Sequence, residues 1–316
     1  MAMKIQENIS LAPYTMYKIG GPARFYIETK STDELVEAVR FAKEKNLSFF
    51  LLGAGSNTLV ADRGFNGVII HPSGGTVNVN TEQGELTADA DVMMARAAGE
   101  AARAGLGGFS WAVGVPGTIG GSVRGNAGCF GGEMKDVVHA VRFYHTDAGA
   151  IKEIDRAACA FAYRDSVFKH RPAWIITSVI LKLLSAQSHE IQEAMRRITA
   201  ERSAKQDIGT KSCGCIFKNP SWEMAAYPKE KMLERYPELL PFVERPHIPA
   251  SFLIDQTGLK GKKIGRIFVS PRHGNFFVNE GGGTADEVMM LVSLVKDAVR
   301  RRYGIVLQEE IQLVGF

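Results

Sequence analysis

Apolar side chains recur along the chain with two different periods, and the longer period indicates helices. Apolar residues three and four positions apart predict four helices, at residues 31–46, 91–105, 188–205 and 284–303. Ser31 and Glu34 have the spacing of a capping box at the start of the first helix. Gly105 and Gly304 follow the second and the last helix, where a glycine commonly ends a helix. These four segments are the most clearly helical parts of the sequence.

Shorter segments between the helices have the composition and alternation of strands. Strand-like sequence occurs at residues 47–52, 67–72, 136–183 and 305–316. In the last of these, strand alternation places Glu310 on one face and Glu309 on the other, and the pattern does not show which of them faces a pocket. The mixture of helices and strands, without an internal repeat, predicts an α+β fold.

Length and charge narrow the class of protein. A chain of 316 residues is expected to form two or three compact units. The formal net charge of +4 is weak, so we expect no nucleic-acid partner, although a mild positive charge suits anionic small molecules. No apolar run reaches the roughly 20 residues of a membrane span. The opening MAMKIQENISLAPYT lacks the apolar core of a signal peptide, so a cytoplasmic protein without a membrane partner is expected.

Two of the four cysteines stand one residue apart in the segment TKSCGCIFKNP, residues 210–220. A metal clip, a disulfide, a place in the core and a reactive thiol are the alternatives for Cys213 and Cys215. No C-x-x-C spacing and no histidine cluster completes a zinc set, and thiols stay reduced in the cytosol. We therefore expect no metal site and no structural disulfide, which leaves packing or reactivity.

Two glycine-rich stretches are candidates for ligand binding. The first, LLGAGSNTLV at residues 51–60, has neither the spacing of a Rossmann unit nor that of a Walker loop, and an ordinary hairpin turn is the alternative. The second, residues 111–134, is longer. Its Gly120–Gly121 pair predicts consecutive N–H donors for a pyrophosphate, and Asn126 would contact a ring edge or a ribose. Such a loop could instead pack against its own core, but two of them favour a large planar or diphosphate ligand.

A third candidate is Arg164, in the segment FAYRDSVFKHR at residues 161–171. A guanidinium can hold a carboxylate through two parallel hydrogen bonds. On this segment alone, a surface strand with solvated charges is the better interpretation.

In combination, these segments resemble the UDP-N-acetylenolpyruvoylglucosamine reductases, the MurB family. The matching motifs span nearly the whole chain and are YTMYKIGGPA, GAGSN, GVPGTIGGSVRGNAG, YRDS, CGCIFKNP, LIDQTGLKG and LQEEIQLVG. The resemblance implies an α+β fold with an FAD-binding domain of the vanillyl-alcohol-oxidase/p-cresol-methylhydroxylase type and a C-terminal α+β substrate-binding domain. It implies FAD-binding subdomains at residues 1–75 and 76–205 and a substrate-binding domain at 206–304, with strand 305–316 returning to the first subdomain. The short interval between Arg164 and Cys215 resembles the second type of the family, which lacks an extra tyrosine-bearing loop.

The resemblance also implies an activity. Members of the family are FAD-dependent oxidoreductases, with FAD bound non-covalently, that use NADPH to reduce UDP-N-acetylglucosamine enolpyruvate to UDP-N-acetylmuramate. This is a cytoplasmic step of peptidoglycan synthesis that serves cell-wall biogenesis, cell shape and cell division. Two alternatives remain: a flavin oxidoreductase of the same fold that oxidises a small alcohol, and a non-catalytic nucleotide-binding module. The first does not need CGCIFKNP or the terminal glutamate, and the second does not need a converging set of catalytic side chains.

The resemblance implies catalytic roles for the residues of this chain that match the catalytic residues of the family. Arg164 would polarise the substrate carboxylate, and Glu310, rather than Glu309, would lie near it. Many members have a serine as proton donor where this chain has Cys215. The Cys215 thiol would protonate C2 of the enolpyruvyl group after hydride reaches C3, whereas Cys213 is expected only to pack.

The resemblance assigns binding roles to a larger set. The predicted flavin ligands lie in the two glycine-rich stretches and are Gly53, Ala54, Gly55, Ser56, Asn57, Thr58, Pro116, Gly117, Thr118, Gly120, Gly121 and Ala127. Residues expected near them are Tyr17, Lys18, Ile19 and Gly20. The predicted substrate contacts are Tyr163, Asn219, Lys260 and His273.

Overall fold

The computed structural model describes residues 3–205, 207 and 209–316 of the chain. The α-helices of this part are α1 (Thr32–Glu44), α2 (Met94–Arg103), α3 (Ile119–Arg124), α4 (Met134–Val137), α5 (Val167–His170), α6 (Ser188–Lys205), α7 (Lys229–Arg235), α8 (Ala250–Gln256) and α9 (Ala285–Tyr303). Its strands are β1 (Ile5–Ser10), β2 (Pro22–Thr29), β3 (Phe49–Leu51), β4 (Thr58–Val60), β5 (Phe65–Pro72), β6 (Val77–Asn80), β7 (Glu85–Asp89), β8 (Leu106–Gly107), β9 (Gly128–Cys129), β10 (Gly132–Glu133), β11 (Val138–His145), β12 (Ala150–Asp155), β13 (Trp174–Lys182), β14 (Leu184–Ser185), β15 (Lys263–Ile264), β16 (Ile267–Val269), β17 (Phe277–Asn279) and β18 (Gln312–Val314).

The four helices predicted from apolar spacing are confirmed as α1, α2, α6 and α9. At α1, Ser31 Oγ accepts a hydrogen bond from the Glu34 amide at 3.2 Å, but the Glu34 carboxylate accepts from the Lys30 amide rather than from that of Ser31. At α9 both halves of a capping box form between Thr284 and the third helical residue, and Gly304 ends the helix at φ +66°. Local cap chemistry therefore sets these helix ends much as the sequence indicates.

The chain folds into two compact units, each assembled from separated segments. The first contains the described residues through Ile9, Ala23–Ala54 and Asn66–Ala204. Its four-stranded sheet has the order β1-β2-β5-β3, and β3 is parallel to β5. Its five-stranded antiparallel sheet has the order β12-β11-β13-β7-β6. Helices α2 and α3 contribute buried residues to the same core as this second sheet.

The second unit contains Ser10–Pro22, Gly55–Phe65 and the described part of Lys205–Phe316. Strands β15, β16 and β17 form an antiparallel sheet, and β18 pairs in parallel with β4. One face of α9 is buried in the core of this unit, together with residues of α8, β16 and β17. The pairing of β18 with β4 joins the end of the chain to the last three residues of the first glycine-rich stretch.

Two expectations about local structure are corrected. In the described part of the C-terminal segment, regular strand pairing is confined to β18, and Glu309 makes an isolated bridge with Phe217 instead of belonging to a long strand. The second glycine-rich stretch, expected as a loop, contains helix α3. It forms because Thr118 caps the helix, its Oγ1 accepting a hydrogen bond from the Gly121 amide.

The predicted domain boundaries at residues 75, 205 and 304 stay predictions, and Gln206, where the predicted substrate-binding domain begins, lies outside the described residues. Within the described chain, every helix is too short or too polar to cross a membrane.

Candidate active site

Arg164 lies in a tight turn of the first unit. The amides of Ala162 and Asp165 each donate to the other residue's carbonyl, at 3.1 and 3.2 Å, so Tyr163 and Arg164 are the two central residues. Arg164 has φ +54°, a left-handed conformation that a side chain other than glycine rarely adopts. Lys169 Nζ donates to the Arg164 carbonyl at 2.5 Å. The guanidinium lies over the Tyr163 ring, 5.2 Å from its centre, so the turn presents both side chains together.

Asn126 supports this turn from the second glycine-rich stretch. Its side chain is fully buried, and its Nδ2 donates to the Ala162 carbonyl at 2.9 Å and to Glu133 Oε2 at 3.0 Å. Its Oδ1 accepts from the Lys135 amide at 3.0 Å. The expected contact of Asn126 with a ring edge or a ribose is therefore wrong, because its polar atoms are used inside the protein.

The backbone amides at the start of α3 also make their hydrogen bonds within the protein. The Gly120 amide donates to the Ala90 carbonyl at 2.8 Å, and the Gly121 amide donates to Thr118 Oγ1 at 3.3 Å. The prediction that these two glycines offer consecutive N–H donors to a pyrophosphate stays a prediction, and in this structure both amides have acceptors within the protein. Gly120 also serves close packing, since an added Cβ would lie 2.7 Å from the Cβ of Ala90.

A cavity of about 280 Å³ in the first unit is lined by residues from both glycine-rich stretches. Its walls include Gly53, Ala54, His71, Asp91, Arg96 and Thr118. An added Cβ on Gly53 would lie 3.0 Å from Thr118 Oγ1, so a side chain at this position would crowd Thr118. Burial lowers the pKa of His71, whose Nδ1 is 2.6 Å from Tyr26 Oη. Sequence reasoning identified the two stretches but missed His71, Asp91 and Arg96, which lie outside them.

The other predicted flavin residues are distributed over both units. In the first unit, those that do not line the cavity are Pro116, Gly117, Gly120, Gly121 and Ala127. In the second unit lie Gly55, Ser56, Asn57 and Thr58. Gly55 has φ +61°, and an added Cβ there would lie 2.3 Å from the Tyr14 carbonyl oxygen, so this position requires glycine.

Cys215 begins a short extended segment of the second unit that is held from both sides. On one side Cys215 forms an antiparallel bridge with Phe276, and the Ile216 amide donates to the Asn275 carbonyl at 2.9 Å. On the other side the Glu310 amide donates to the Ile216 carbonyl at 2.7 Å. The Cys215 side chain is half-buried. Two residues with predicted catalytic roles, Cys215 and Glu310, therefore lie on adjacent segments.

Glu309 and Glu310 have different surroundings. Glu309 Oε1 accepts a hydrogen bond from Lys296 Nζ of α9 at 2.7 Å. The Glu310 carbonyl accepts from Asn57 Nδ2 at 3.0 Å, and the Asn57 carbonyl accepts from the Gln312 amide at 2.9 Å. The GAGSN motif is thus bonded to the backbone of Glu310, a link between distant segments that the sequence does not reveal.

Cys213 is 2% exposed and belongs to the apolar core of the second unit, as its predicted packing role requires. Burial raises the pKa of its thiol, and Cys215 and Glu310 nearby act in the same direction. Gly214, at φ +78°, turns the chain between the two cysteines. The two thiols therefore differ in environment although one residue separates them.

The predicted substrate residues of the second unit form local pairs. Lys260 Nζ donates to Asp255 Oδ2 at 2.7 Å. Burial, and then the charge of Lys260, lower the pKa of His273, so this histidine favours the neutral form. Asn219 Oδ1 accepts from the Ala250 amide at 2.9 Å, at the first residue of α8. Lys260 and His273 are thus neighbours, while Asn219 stabilises the start of a helix.

The structure groups the predicted residues into two local sets. Arg164 and Tyr163 share a turn of the first unit, and Cys215, Glu310, Asn219, Lys260 and His273 belong to the second. Sequence reasoning missed Asn275, which is 1% exposed and bonds to the segment after Cys215. Its signal in the sequence is a polar residue directly before the apolar run FFV.

Comparison with known proteins gives a consistent result over the whole chain. Residues 205–314 match the family model described as UDP-N-acetylenolpyruvoylglucosamine reductase, C-terminal domain, and residues 23–155 match the model described as FAD binding domain. The UDP-N-acetylenolpyruvoylglucosamine reductase of Carboxydothermus hydrogenoformans is 35% identical, over 98% of this chain and 94% of the relative. That of Solibacter usitatus is 33% identical, over 99% and 97%.

A solved structure of the same family has a similar fold. The crystal structure of UDP-N-acetylenolpyruvylglucosamine reductase (MurB) from Thermus caldophilus aligns with a TM-score of 0.77 and 30% identity, covering 99% of each chain. The predicted α+β architecture, an FAD-binding domain and a C-terminal domain, is confirmed by these matches. The chain belongs to the UDP-N-acetylenolpyruvoylglucosamine reductases, the FAD-dependent oxidoreductases of the MurB family.

Proposed function

We propose that this protein catalyses the NADPH-dependent reduction of UDP-N-acetylglucosamine enolpyruvate to UDP-N-acetylmuramate, a step of peptidoglycan-precursor synthesis. Family membership supports the reaction. The main structural support is the 2.7 Å hydrogen bond from the Glu310 amide to the Ile216 carbonyl, which holds Glu310 beside the segment that begins at Cys215. A thiol and a carboxylic acid on adjacent segments suit a reaction that requires proton transfer.

The residues around Gly53 fit the cofactor. When bound and reduced by NADPH, FAD would supply the hydride that C3 of the enolpyruvyl group receives. Gly53 and Thr118 both line the cavity, and they lie so close that an added Cβ on Gly53 would be 3.0 Å from Thr118 Oγ1. We propose that Gly53, Ala54 and Thr118 hold part of the cofactor, and that the other predicted flavin residues contact it through backbone atoms where glycine allows close approach. Among the latter, the amides of Gly120 and Gly121 already have acceptors in the protein.

Arg164 is proposed to bind the carboxylate of the substrate. When hydride reaches C3, electron density moves to C2 beside that carboxylate, and a nearby cation stabilises the transition state. Lys169 and Asn126 fix the backbone of the turn that carries Arg164, which reduces the cost of orienting the guanidinium. Tyr163, below the guanidinium, is proposed to shape the same contact.

Cys215 is proposed to give its Sγ proton to C2. A cysteine thiol with an ordinary pKa of about 8.5 is mostly protonated at neutral pH, and it releases a proton more readily than the serine hydroxyl found in many relatives. Glu310 is proposed to lie near the substrate carboxylate as a second proton-bearing group. Glu309 is less suited to this role because its carboxylate binds Lys296.

Lys260, His273 and Asn219 are proposed to contact the UDP part of the substrate. Lys260 offers a compact positive charge for a diphosphate. To bind the diphosphate, Lys260 would have to give up its hydrogen bond to Asp255. His273 would act as a neutral hydrogen-bonding group, since burial lowers its pKa. We also propose that the enzyme works in the cytoplasm, a reducing compartment that suits four cysteines without a disulfide.

The proposed function is tested by following NADPH absorbance with purified, FAD-loaded protein. NADPH oxidation under anaerobic conditions should require UDP-N-acetylglucosamine enolpyruvate and should yield one UDP-N-acetylmuramate per NADPH. A small alcohol in place of the nucleotide should give no turnover. NADPH loss that is independent of the enolpyruvyl nucleotide would contradict the assignment.

A further inference from the structure

The Asn275 side chain makes a pair of hydrogen bonds to the backbone of one residue, Phe217. Its side chain is 1% exposed. Asn275 Oδ1 accepts from the Phe217 amide at 2.9 Å, and Asn275 Nδ2 donates to the Phe217 carbonyl at 2.8 Å. The amide group thus satisfies both backbone polar groups of Phe217, as a neighbouring strand residue would do.

Phe217 belongs to the central segment, which we define as residues 215–218. The Asn275 carbonyl also accepts from the Ile216 amide at 2.9 Å, so one residue makes three hydrogen bonds to this segment. On the opposite side, the Ile216 carbonyl accepts from Glu310. The position of Cys215 relative to Glu310 therefore depends on the hydrogen bonds that Asn275 makes to the central segment on the side opposite Glu310.

Few side chains can replace Asn275 in this arrangement. Alanine would leave the amide and carbonyl of Phe217 buried without these partners, and a buried polar group without a partner destabilises its surroundings. Aspartate has no N–H to donate to the Phe217 carbonyl, and glutamine is longer by one methylene. Serine has a shorter side chain, so its hydroxyl reaches only one of the two Phe217 groups and only after a small shift of the segment, which should loosen the segment less than alanine does.

We propose that Asn275 is a positioning residue that sets the Cys215 thiol against Glu310 for protonation of the substrate, an inference that rests on the proposed function. It does not touch substrate in this role and acts through the backbone of the central segment. Asn275 variants should therefore slow the half-reaction that needs the proton and spare the half-reaction in which NADPH reduces the flavin.

Asn279 provides a matched control in the same unit. It is 3% exposed, and its Nδ2 donates to the Tyr17 carbonyl at 2.9 Å. Its Oδ1 accepts from the amides of Gly281 and Gly283 at 2.8 and 3.1 Å. Asn279→Ala thus removes a buried asparagine of similar structural importance whose side chain bonds to segments other than the central one.

The test uses FAD-loaded wild-type, Asn275→Ala, Asn275→Ser and Asn279→Ala proteins in anaerobic rapid-mixing experiments. Flavin reduction by NADPH and flavin reoxidation by the enolpyruvyl nucleotide are measured separately, together with the melting temperature. For Asn275→Ala we expect flavin reoxidation to slow on the order of 100-fold, as for a misplaced reacting group, and flavin reduction to stay nearly unchanged. Asn275→Ser should slow reoxidation by a smaller factor. The pH profile of reoxidation should change for the Asn275 variants only, whereas Asn279→Ala should lower the melting temperature and leave both rates near those of wild type.

Three results would overturn the inference: equal slowing of both half-reactions in the Asn275 variants, the same selective slowing in Asn279→Ala, or loss of FAD binding by both Asn275 variants. The last would make Asn275 a fold-stabilising residue only. Failure of the wild-type protein to be reoxidised by the nucleotide would instead contradict the proposed function, so the two failures are distinguishable.

Discussion

At the scale of single residues, two cysteines separated by one position are expected to behave differently. Cys215 is half-buried on the segment next to Glu310. Cys215→Ala removes the proposed proton donor, so flavin reduction by NADPH should keep its rate. Reoxidation by the enolpyruvyl nucleotide should fall by a factor of roughly 10²–10⁴, the usual contribution of a positioned acid. Flavin absorbance in the two half-reactions measures both rates.

Cys213→Ala is the control for this experiment. Cys213 is 2% exposed in the apolar core, so its removal leaves a small cavity and should lower the free energy of unfolding by about 1 kcal/mol. Both half-reactions should keep rates close to those of wild type. If reoxidation stays fast in Cys215→Ala, the proton comes from another group.

The adjacent glutamates give a second comparison. Glu310→Gln should slow reoxidation by roughly 10- to 1,000-fold, because an amide cannot carry the exchanged proton. Glu309→Gln loses the ion pair with Lys296, in which the Glu309 and Lys296 side chains are 28% and 32% exposed. The effect on stability should therefore stay below about 1 kcal/mol, and turnover should change little. Steady-state turnover and thermal unfolding of the two variants test this, and equal, small losses of turnover would exclude Glu310 from the mechanism.

The sequence predicts residue types at the site better than it predicts their bonds. Cys213 could be assigned to the core because a cysteine without a metal or disulfide partner is commonly buried. Asn126 and Gly120 were expected to contact a ligand, yet they bond to Ala162 and Ala90, both far away along the chain. The sequence shows which residues have hydrogen-bond donors, but it does not show which acceptor a donor meets when the two lie on distant segments.

At the scale of elements, the packing of α3 against Ala90 makes a testable prediction. Gly120→Ala would place a Cβ 2.7 Å from the Ala90 Cβ and 3.1 Å from its carbonyl oxygen. Helix α3 would have to move, which should cost about 1–3 kcal/mol of stability and weaken FAD retention by the adjacent cavity. Thermal unfolding and the rate of FAD release measure the two effects.

Gly99→Ala is the control substitution, in the interior of α2. The nearest atom to an added Cβ there is Arg103 Nη2, at 3.8 Å, so the methyl group meets no obstacle. Alanine should raise the stability by about 0.5–1 kcal/mol because glycine is a poor helix former. A Gly120→Ala protein as stable as Gly99→Ala would show that α3 is not confined by Ala90.

Elements with strong local signals were predictable, and elements that depend on distant partners were not. Helices α1 and α9 have apolar stripes and capping residues, and both lie where the sequence indicates. Helix α3 was missed because its glycines hide the helical pattern, and its ends depend on Thr118 and on bonds to the segment near Ala90. The terminal segment was predicted as too long a strand because alternation does not show where pairing partners end.

At the scale of the whole molecule, the fold class was predictable from the motif combination but the composition of the two units was not. The second unit draws on Ser10–Pro22, Gly55–Phe65 and the described part of Lys205–Phe316. Hydrophobic periodicity reports which face of an element is buried and not which distant elements share that core. The parallel pairing of β18 with β4 follows from the family resemblance, which implies that the terminal strand returns to the first 75 residues, and not from hydrophobic periodicity.

Each unit contains a histidine whose pKa is lowered mainly by burial: His71 in the first unit and His273 in the second. Glu28 and Asp91 near His71, and Asp207 near His273, oppose this lowering without cancelling it. An unfolded histidine has a pKa of about 6.5, so below that pH the unfolded chain binds protons that the folded chain does not. Stability should therefore be highest above about pH 6.5 and fall as the pH drops towards 5, before most carboxylates titrate.

Urea unfolding at several pH values between about 7.5 and 5 measures this dependence. Replacing both His71 and His273 by glutamine should flatten the stability profile in that range, because the protein then lacks the two groups that resist protonation when folded. His139→Gln, at an exposed position of β11, is the control and should leave the profile as it is in wild type. A double variant that keeps the wild-type slope would mean that other groups cause the loss of stability, and that burial of these two histidines does not govern the response of the fold to acid.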